Sequence, residues 1–207
     1  MKDNAYTVFY SLVLGVVCAA LLTAASIVAE PYKKANARAA EERNILGVLE
    51  VPFDQKATAA QLSKTFEKNV RAVERGGQKL YEYAGDDPSR PQAVAVPFAG
   101  PGLWGPVKGF LALESDMKTV RSVSFYEQEE TPGLGGEIGS AWFQGQFKGK
   151  VITDPSGQPG LHVVRGKAAA SNEVDGITGA TMTCDKVNAM LDKLVKKIIE
   201  EQNNHGN

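Results

Sequence analysis

The chain has 207 residues, 43% of them hydrophobic and 23% charged, with a formal net charge of −1 at pH 7. A balance so close to neutral gives no electrostatic basis for nucleic-acid binding. Two cysteines, Cys18 and Cys184, and two distant histidines, His162 and His205, leave a disulfide framework, a zinc site and an iron–sulfur site without support.

The first element is an apolar run from Val8 to Ala29 that carries no charge. As a helix it is about 33 Å long, enough to cross a hydrocarbon core of about 30 Å. Cleavage as a signal peptide after Ala29 is the rival reading, but a signal core is usually about 7–15 residues, shorter than this run. A retained anchor over residues 1–30 is therefore expected. Lys33, Lys34 and Arg38 would place the following segment on the cytoplasmic side.

Residues 31–92 read as a helical connecting region. A charged, alanine-rich stretch over 31–50 continues the helix. Thr58–Arg75 is a second helix, with Leu62, Phe66, Val70 and Val73 on one face. Thr58 and Gln61 have the spacing of a capping box at its start. Gly85-Asp-Asp-Pro-Ser-Arg-Pro91 is a loop.

Residues 93–202 form the expected domain, followed by a tail at 203–207. Val94–Pro97, Gly109–Leu113, Val120–Tyr126 and Leu161–Arg165 are strand candidates, with a hairpin turn over Leu113–Met117. A helix from about Cys184 to Gln202 carries Val187, Met190, Leu191, Leu194, Val195, Ile198 and Ile199 on one stripe. The expected fold is α+β: an N-terminal transmembrane helix, then one domain with a small, mostly antiparallel sheet and packed helices.

Three segments could carry chemistry. Gly100-Pro-Gly-Leu-Trp-Gly105 matches the letters of a dinucleotide fingerprint, but Pro106 and a strand follow instead of a helix, so a nicotinamide site is rejected. A hairpin-edge turn with Trp104 in the core, or a loop bringing Leu103 and Trp104 to a ligand, are equal readings. Thr131-Pro-Gly-Leu-Gly-Gly-Glu137 is a glycine-rich loop able to approach a ligand closely. Asp175-Gly-Ile-Thr-Gly-Ala-Thr-Met-Thr183 sets Thr178, Thr181 and Thr183 at the start of the last helix. There the free N–H groups and the helix dipole favour a phosphate; Thr181 or Thr183 acting as an ordinary N-cap is as good a reading. Asp175 reads as setting the turn. Neither a Ser-His-Asp or Cys-His arrangement nor a carboxylate pair presents itself.

Asp175-Gly-Ile-Thr-Gly-Ala-Thr181 resembles the Asp-Gly-x-Ser/Thr-Gly-Ala-Thr motif of covalent FMN-binding domains. Thr131-Pro-Gly-Leu-Gly135 is similar to a segment found in that family, in the C subunit of sodium-pumping NADH:quinone reductases and the G subunit of Rnf complexes. Gly102-Leu-Trp-Gly105, Gly109–Leu113 and Phe125–Thr131 look more like the former. The resemblance covers roughly residues 95–195 and the N-terminal span; the stretch between span and core is short for the former.

The resemblance implies an FMN moved from FAD by a flavin transferase and held as a phosphodiester on Thr181. It also implies a cofactor site of Asp175, Gly176, Thr178, Gly179, Ala180, Thr181 and Thr183, with Thr131, Gly133, Leu134, Gly135, Gly136 and Glu137 from the glycine loop and Leu103 and Trp104 from the upstream turn. No metal is implied in the mature site, although Asp175 could engage the metal used in flavin transfer. The implied role is electron relay within a multi-subunit, ion-translocating oxidoreductase, beside other membrane subunits and lipid, with the domain on the periplasmic side of the inner membrane. Here the resemblance outweighs the small basic bias at Lys33–Arg38. An Rnf-type protein, a stand-alone extracytoplasmic flavoprotein and a membrane-anchored phospho-ligand module are the competing readings.

Overall fold

The structure, a computed structural model, describes residues 2–85 and 90–205. Asp86–Ser89 of the expected loop and the last two residues of the expected tail lie outside them. The chain divides into two compact units, residues 1–41 and 42–207.

The described backbone of the first unit is helical, the beginning of α1, which spans Lys2–Val48. Among the described residues, one helix is long and apolar enough to cross a membrane, and its most apolar stretch is unburied. Pro31 lies inside α1. Lys34, one turn beyond it, pairs with Glu30, the residue just before the proline, at 3.3 Å across an exposed i,i+4 spacing.

The second unit is an α+β domain built on a five-stranded antiparallel sheet in the order β1-β2-β3-β4-β5. The strands are β1 (Val70–Arg75), β2 (Gln78–Tyr83), β3 (Ala93–Pro101), β4 (Pro106–Glu114) and β5 (Val120–Glu127). Helix α2 (Ala59–Asn69) opens with the expected capping box, Thr58 and Gln61 satisfying each other's orphan groups. The helix ends at Asn69, not at Arg75. Val70 and Val73 continue the apolar spacing, but Val70 is extended and begins β1, in line with the strand preference of β-branched residues. The stretch read as a helical connection, 31–92, is thus helical only to Val48 and again over Ala59–Asn69. Gly76 and Gly77, both with positive φ, form the two-residue turn from β1 to β2.

After β5 come a 3₁₀ turn at Gly135–Gly139 and the short helix α3 (Ala141–Gly145), capped by Ser140 at the Phe143 N–H. Two three-residue strands, β6 (His162–Val164) and β7 (Glu173–Asp175), pair in parallel. Helix α4 (Thr181–His205) follows.

Alternation along β3 divides the core. Val94, Val96 and Phe98 face the main cluster with Leu111, Phe125, Phe143, Val187, Leu191 and Val195, so α4 packs on the sheet through the expected stripe. Tyr81 and Phe110 meet edge to face and Phe66 of α2 meets Tyr81, giving a second aromatic layer. Ser122 of β5 donates to the Val48 carbonyl at 2.6 Å, and so holds the last turn of α1, which belongs to this second unit, against the sheet.

Candidate functional site

The threonine motif leaves β7 and turns into α4. Gly176 donates to the Val164 carbonyl at 2.8 Å, and a Cβ there would lie 2.6 Å from that same oxygen, so only glycine fits. Gly179 has φ +80°, the left-handed region that glycine enters without strain. The Ala180 N–H closes the turn on the Ile177 carbonyl at 3.1 Å, and the Cys184 N–H reaches the Ala180 carbonyl at 3.0 Å as the first α4 bond. The earlier N–H groups of the helix have no carbonyl a turn before them to bond within it.

The three hydroxyls have different surroundings. Thr183 is 2% exposed and donates to Glu130 Oε2 at 2.6 Å. Thr178 and Thr181 are exposed. Thr181, the first residue of α4, stands between two cavities and lines both.

One cavity, of about 480 Å³, is walled by Asp175–Gly179, Val163–Lys167, Trp142, Cys184 and Asp185. Its rim carries two cations and two carboxylates: Arg165 and Lys167 flank Gly166, Asp175 and Asp185 line the same cavity, and the Arg165 guanidinium lies 3.7 Å from the Asp185 carboxylate. Asn188 of α4 fixes this rim by accepting from the Val163 N–H at 2.6 Å and donating to its carbonyl at 2.9 Å, as a strand neighbour would. Asp175 Oδ1 accepts from the Ala168 N–H at 2.7 Å, so its carboxylate braces the β6–β7 connection and not the turn into α4. Glu173 accepts from the Ala169 and Ala170 N–H groups; these bonds hold its carboxyl below the usual range. Burial pushes the Cys184 thiol up, and the adjacent Asp185 charge adds to this.

The other cavity, of about 300 Å³, brings the three sequence segments together. Leu103 and Trp104, at the tip of the β3–β4 hairpin, form one wall; Thr131, Leu134 and Gly135 form a second; Gly179–Thr183 form the third. Trp104 is 70% exposed, which rules out its reading as a core residue.

Residues 102–196 match the FMN-binding domain family. This stretch is an FMN-binding domain. The chain is 35% identical over 146 residues, 68% of its length and 57% of the relative's, to the C subunit of the Na(+)-translocating NADH-quinone reductase of Vibrio alginolyticus. It is 44% identical over 96 residues to the protein of the same name from Yersinia pestis, covering 45% of this chain and 36% of that one. The chain spans about half the length of the curated relatives it matches. Among solved structures, the C subunit of the Na(+)-translocating NADH-quinone reductase of Parabacteroides distasonis superposes with a TM-score of 0.66 at 27% identity, covering 78% of this chain and 90% of that one. NqrC of Shewanella oneidensis gives 0.66 at 23% identity over 76% and 91%, a likeness of fold.

The residues of this FMN-binding domain fit a flavin phosphate. Thr181 offers an exposed hydroxyl beside the open N–H groups of α4, between cavities in the size range of small-molecule sites, about 300–1,000 Å³, and Arg165 and Lys167 line one of the two. Of the expected set, Gly133, Gly136 and Glu137 line neither cavity. Gly133 has φ +74° and shapes the loop; Gly136 donates to the Thr131 carbonyl at 2.9 Å; Glu137 sits in the 3₁₀ turn, its carbonyl accepting from Ser140. Sequence reasoning missed Glu130, Trp142, Arg165, Lys167, Met182 and Asn188. Arg165-Gly-Lys167, two cations about a glycine, is the readable signal of this part of the rim.

Proposed function

We propose that this chain is the FMN-carrying C subunit of a sodium-translocating NADH:quinone oxidoreductase, anchored by α1 and holding FMN as a phosphodiester on Thr181. The observation that carries this reading is the position of Thr181, exposed, first in α4 and between two cavities. The names of the relatives support the choice of complex.

Bound FMN supplies the electron-transfer chemistry, and the protein supplies place and field. Thr181 Oγ1 is the point of attachment. The first N–H groups of α4, with Arg165 and Lys167, offset the phosphate charge. Thr178, Gly179 and Ala180 keep the approach to the backbone open. Leu103, Trp104, Leu134 and Met182 give the smaller cavity an apolar lining, while Thr131 adds a polar group at its edge. Gly176 admits the tight turn, Asp175 braces the β6–β7 connection beside it, and Gly133, Gly136 and Glu137 shape the loop behind Gly135.

The chain has no nicotinamide fingerprint, so other membrane subunits bring electrons from NADH and take them onward. It is inactive alone. A flavin transferase matures it, α1 lies in lipid, and the domain is on the periplasmic side of the inner membrane.

The test is expression of the full chain with a flavin transferase, followed by in-gel flavin fluorescence after denaturation and mass spectrometry of the labelled peptide. FMN on Thr181 and co-purification with membrane redox subunits support the reading. A chain that stays colourless with an active transferase sinks it.

A further inference from the structure

Glu130 is 5% exposed, and both of its oxygens are used. Oε1 accepts from the N–H groups of Leu103 at 2.7 Å and Trp104 at 3.2 Å; Oε2 accepts from the Thr183 hydroxyl at 2.6 Å. Its own N–H donates to Gln128 Oε1 at 2.6 Å. A buried carboxylate is costly unless hydrogen-bonded. Here it has three donors, and the N-terminal turn of α4 favours its charge.

Two glycines from separate segments make room for this group. A Cβ on Gly102 would lie 2.5 Å from Oε1; one on Gly135 would lie 2.6 Å from Oε2 and 2.4 Å from Thr183 Oγ1. The glycines that the sequence suggests for close approach to a ligand thus admit a carboxylate first. The segments joined through it are the three that wall the smaller cavity. At the hairpin tip the backbone closes on itself through the Gly102 N–H and the Gly105 carbonyl, at 2.8 Å. Leu103 and Trp104 are 38% and 70% exposed, so packing does little to fix them. Hydrogen bonds to a charged acceptor are the stronger restraint.

We propose that Glu130 is a positioning residue for the cofactor site, tying the β3–β4 tip to the first turn of α4 and so holding Leu103 and Trp104 as a wall beside Thr181. Its effect on bound flavin rests on the reading of Thr181 as the attachment point; its effect on the wall does not.

The experiment measures amide hydrogen exchange at Leu103 and Trp104 in the full-length, unloaded chain. It compares wild type with Glu130→Ala, Glu130→Gln, Thr183→Val and Thr183→Ser. Glu130→Ala should speed exchange at both amides by roughly tenfold or more, the loss of hydrogen bonds to a charged acceptor. Glu130→Gln should fall between wild type and Glu130→Ala, because its amide oxygen can accept from both N–H groups, and its NH₂ can donate to Thr183, but without the charge. Thr183→Val should speed exchange in the same direction and Thr183→Ser should not. In the flavin-loaded chain, the visible circular dichroism of the flavin should weaken in Glu130→Ala and persist in Glu130→Gln.

Unchanged exchange at Leu103 and Trp104 in Glu130→Ala overturns the proposal. If that variant does not fold, unchanged exchange in Thr183→Val does so instead. A wild-type chain that carries no flavin at Thr181 overturns the functional reading alone, since the exchange measurement needs no flavin.

Discussion

Thr181 and Thr183 share the first turn of α4, yet only Thr181 offers an exposed hydroxyl; that of Thr183 is buried and donated to Glu130. A modifying enzyme that needs a free oxygen can therefore use one and not the other. Thr181→Ala should abolish covalent flavin. Thr178→Ser should retain much of it. Peptide mass spectrometry checks both, and a label found on Thr178 or Thr183 would refute the assignment.

Gly135→Val should lower stability as well as disturb the site. From sequence alone, Gly135 lies in a surface loop that tolerates bulk. The structure buries it against Thr183 Oγ1 and Glu130 Oε2, with no room for a Cβ. Overpacking of this kind costs about 1–3 kcal/mol. Denaturant midpoints of the domain should fall accordingly, and an unchanged midpoint would show that the loop yields freely.

Acid should weaken the β6–β7 connection through Glu173. Its carboxyl is held below the ordinary range by the N–H groups of Ala169 and Ala170. A group depressed on folding stabilises fully above its unfolded value, about 4.3, and loses that contribution as pH falls through the folded value. Glu173→Gln should flatten the pH dependence of stability below about pH 4 and leave its slope at neutral pH as it is. Thermal melts across that range decide; parallel curves for the two proteins would count against the assignment.

Removal of residues 1–30 should give a domain that stays in solution without detergent, because the apolar run then is gone. The full chain should need detergent for extraction and keep its N-terminus. N-terminal sequencing that begins at Glu30 would show a cleaved leader instead.

The site was more legible than the sheet. Thr178, Thr181, Leu103, Trp104, Thr131, Leu134 and Gly135, named from motifs, do line the two cavities. Glu130 escaped notice because it ends Glu127-Gln-Glu-Glu130, a run that reads as solvated charge until a fold buries one member. β1 and β2 escaped for a different reason. Val70 and Val73 prolong the spacing of α2, and the Gly76-Gly77 pair, a turn signal, comes only after the β-branched run has begun β1. β7 has three residues and pairs in parallel with β6, too short for alternation to declare it.

Helix α4 serves two ends at once. Thr181 begins it, and Val187, Leu191, Leu194, Val195 and Ile198 of the same rod are buried in the core. A group fastened to Thr181 therefore inherits the stiffness of the whole domain. Its point of attachment has no hinge of its own; to carry that point toward a donor or an acceptor, the domain must travel as one body.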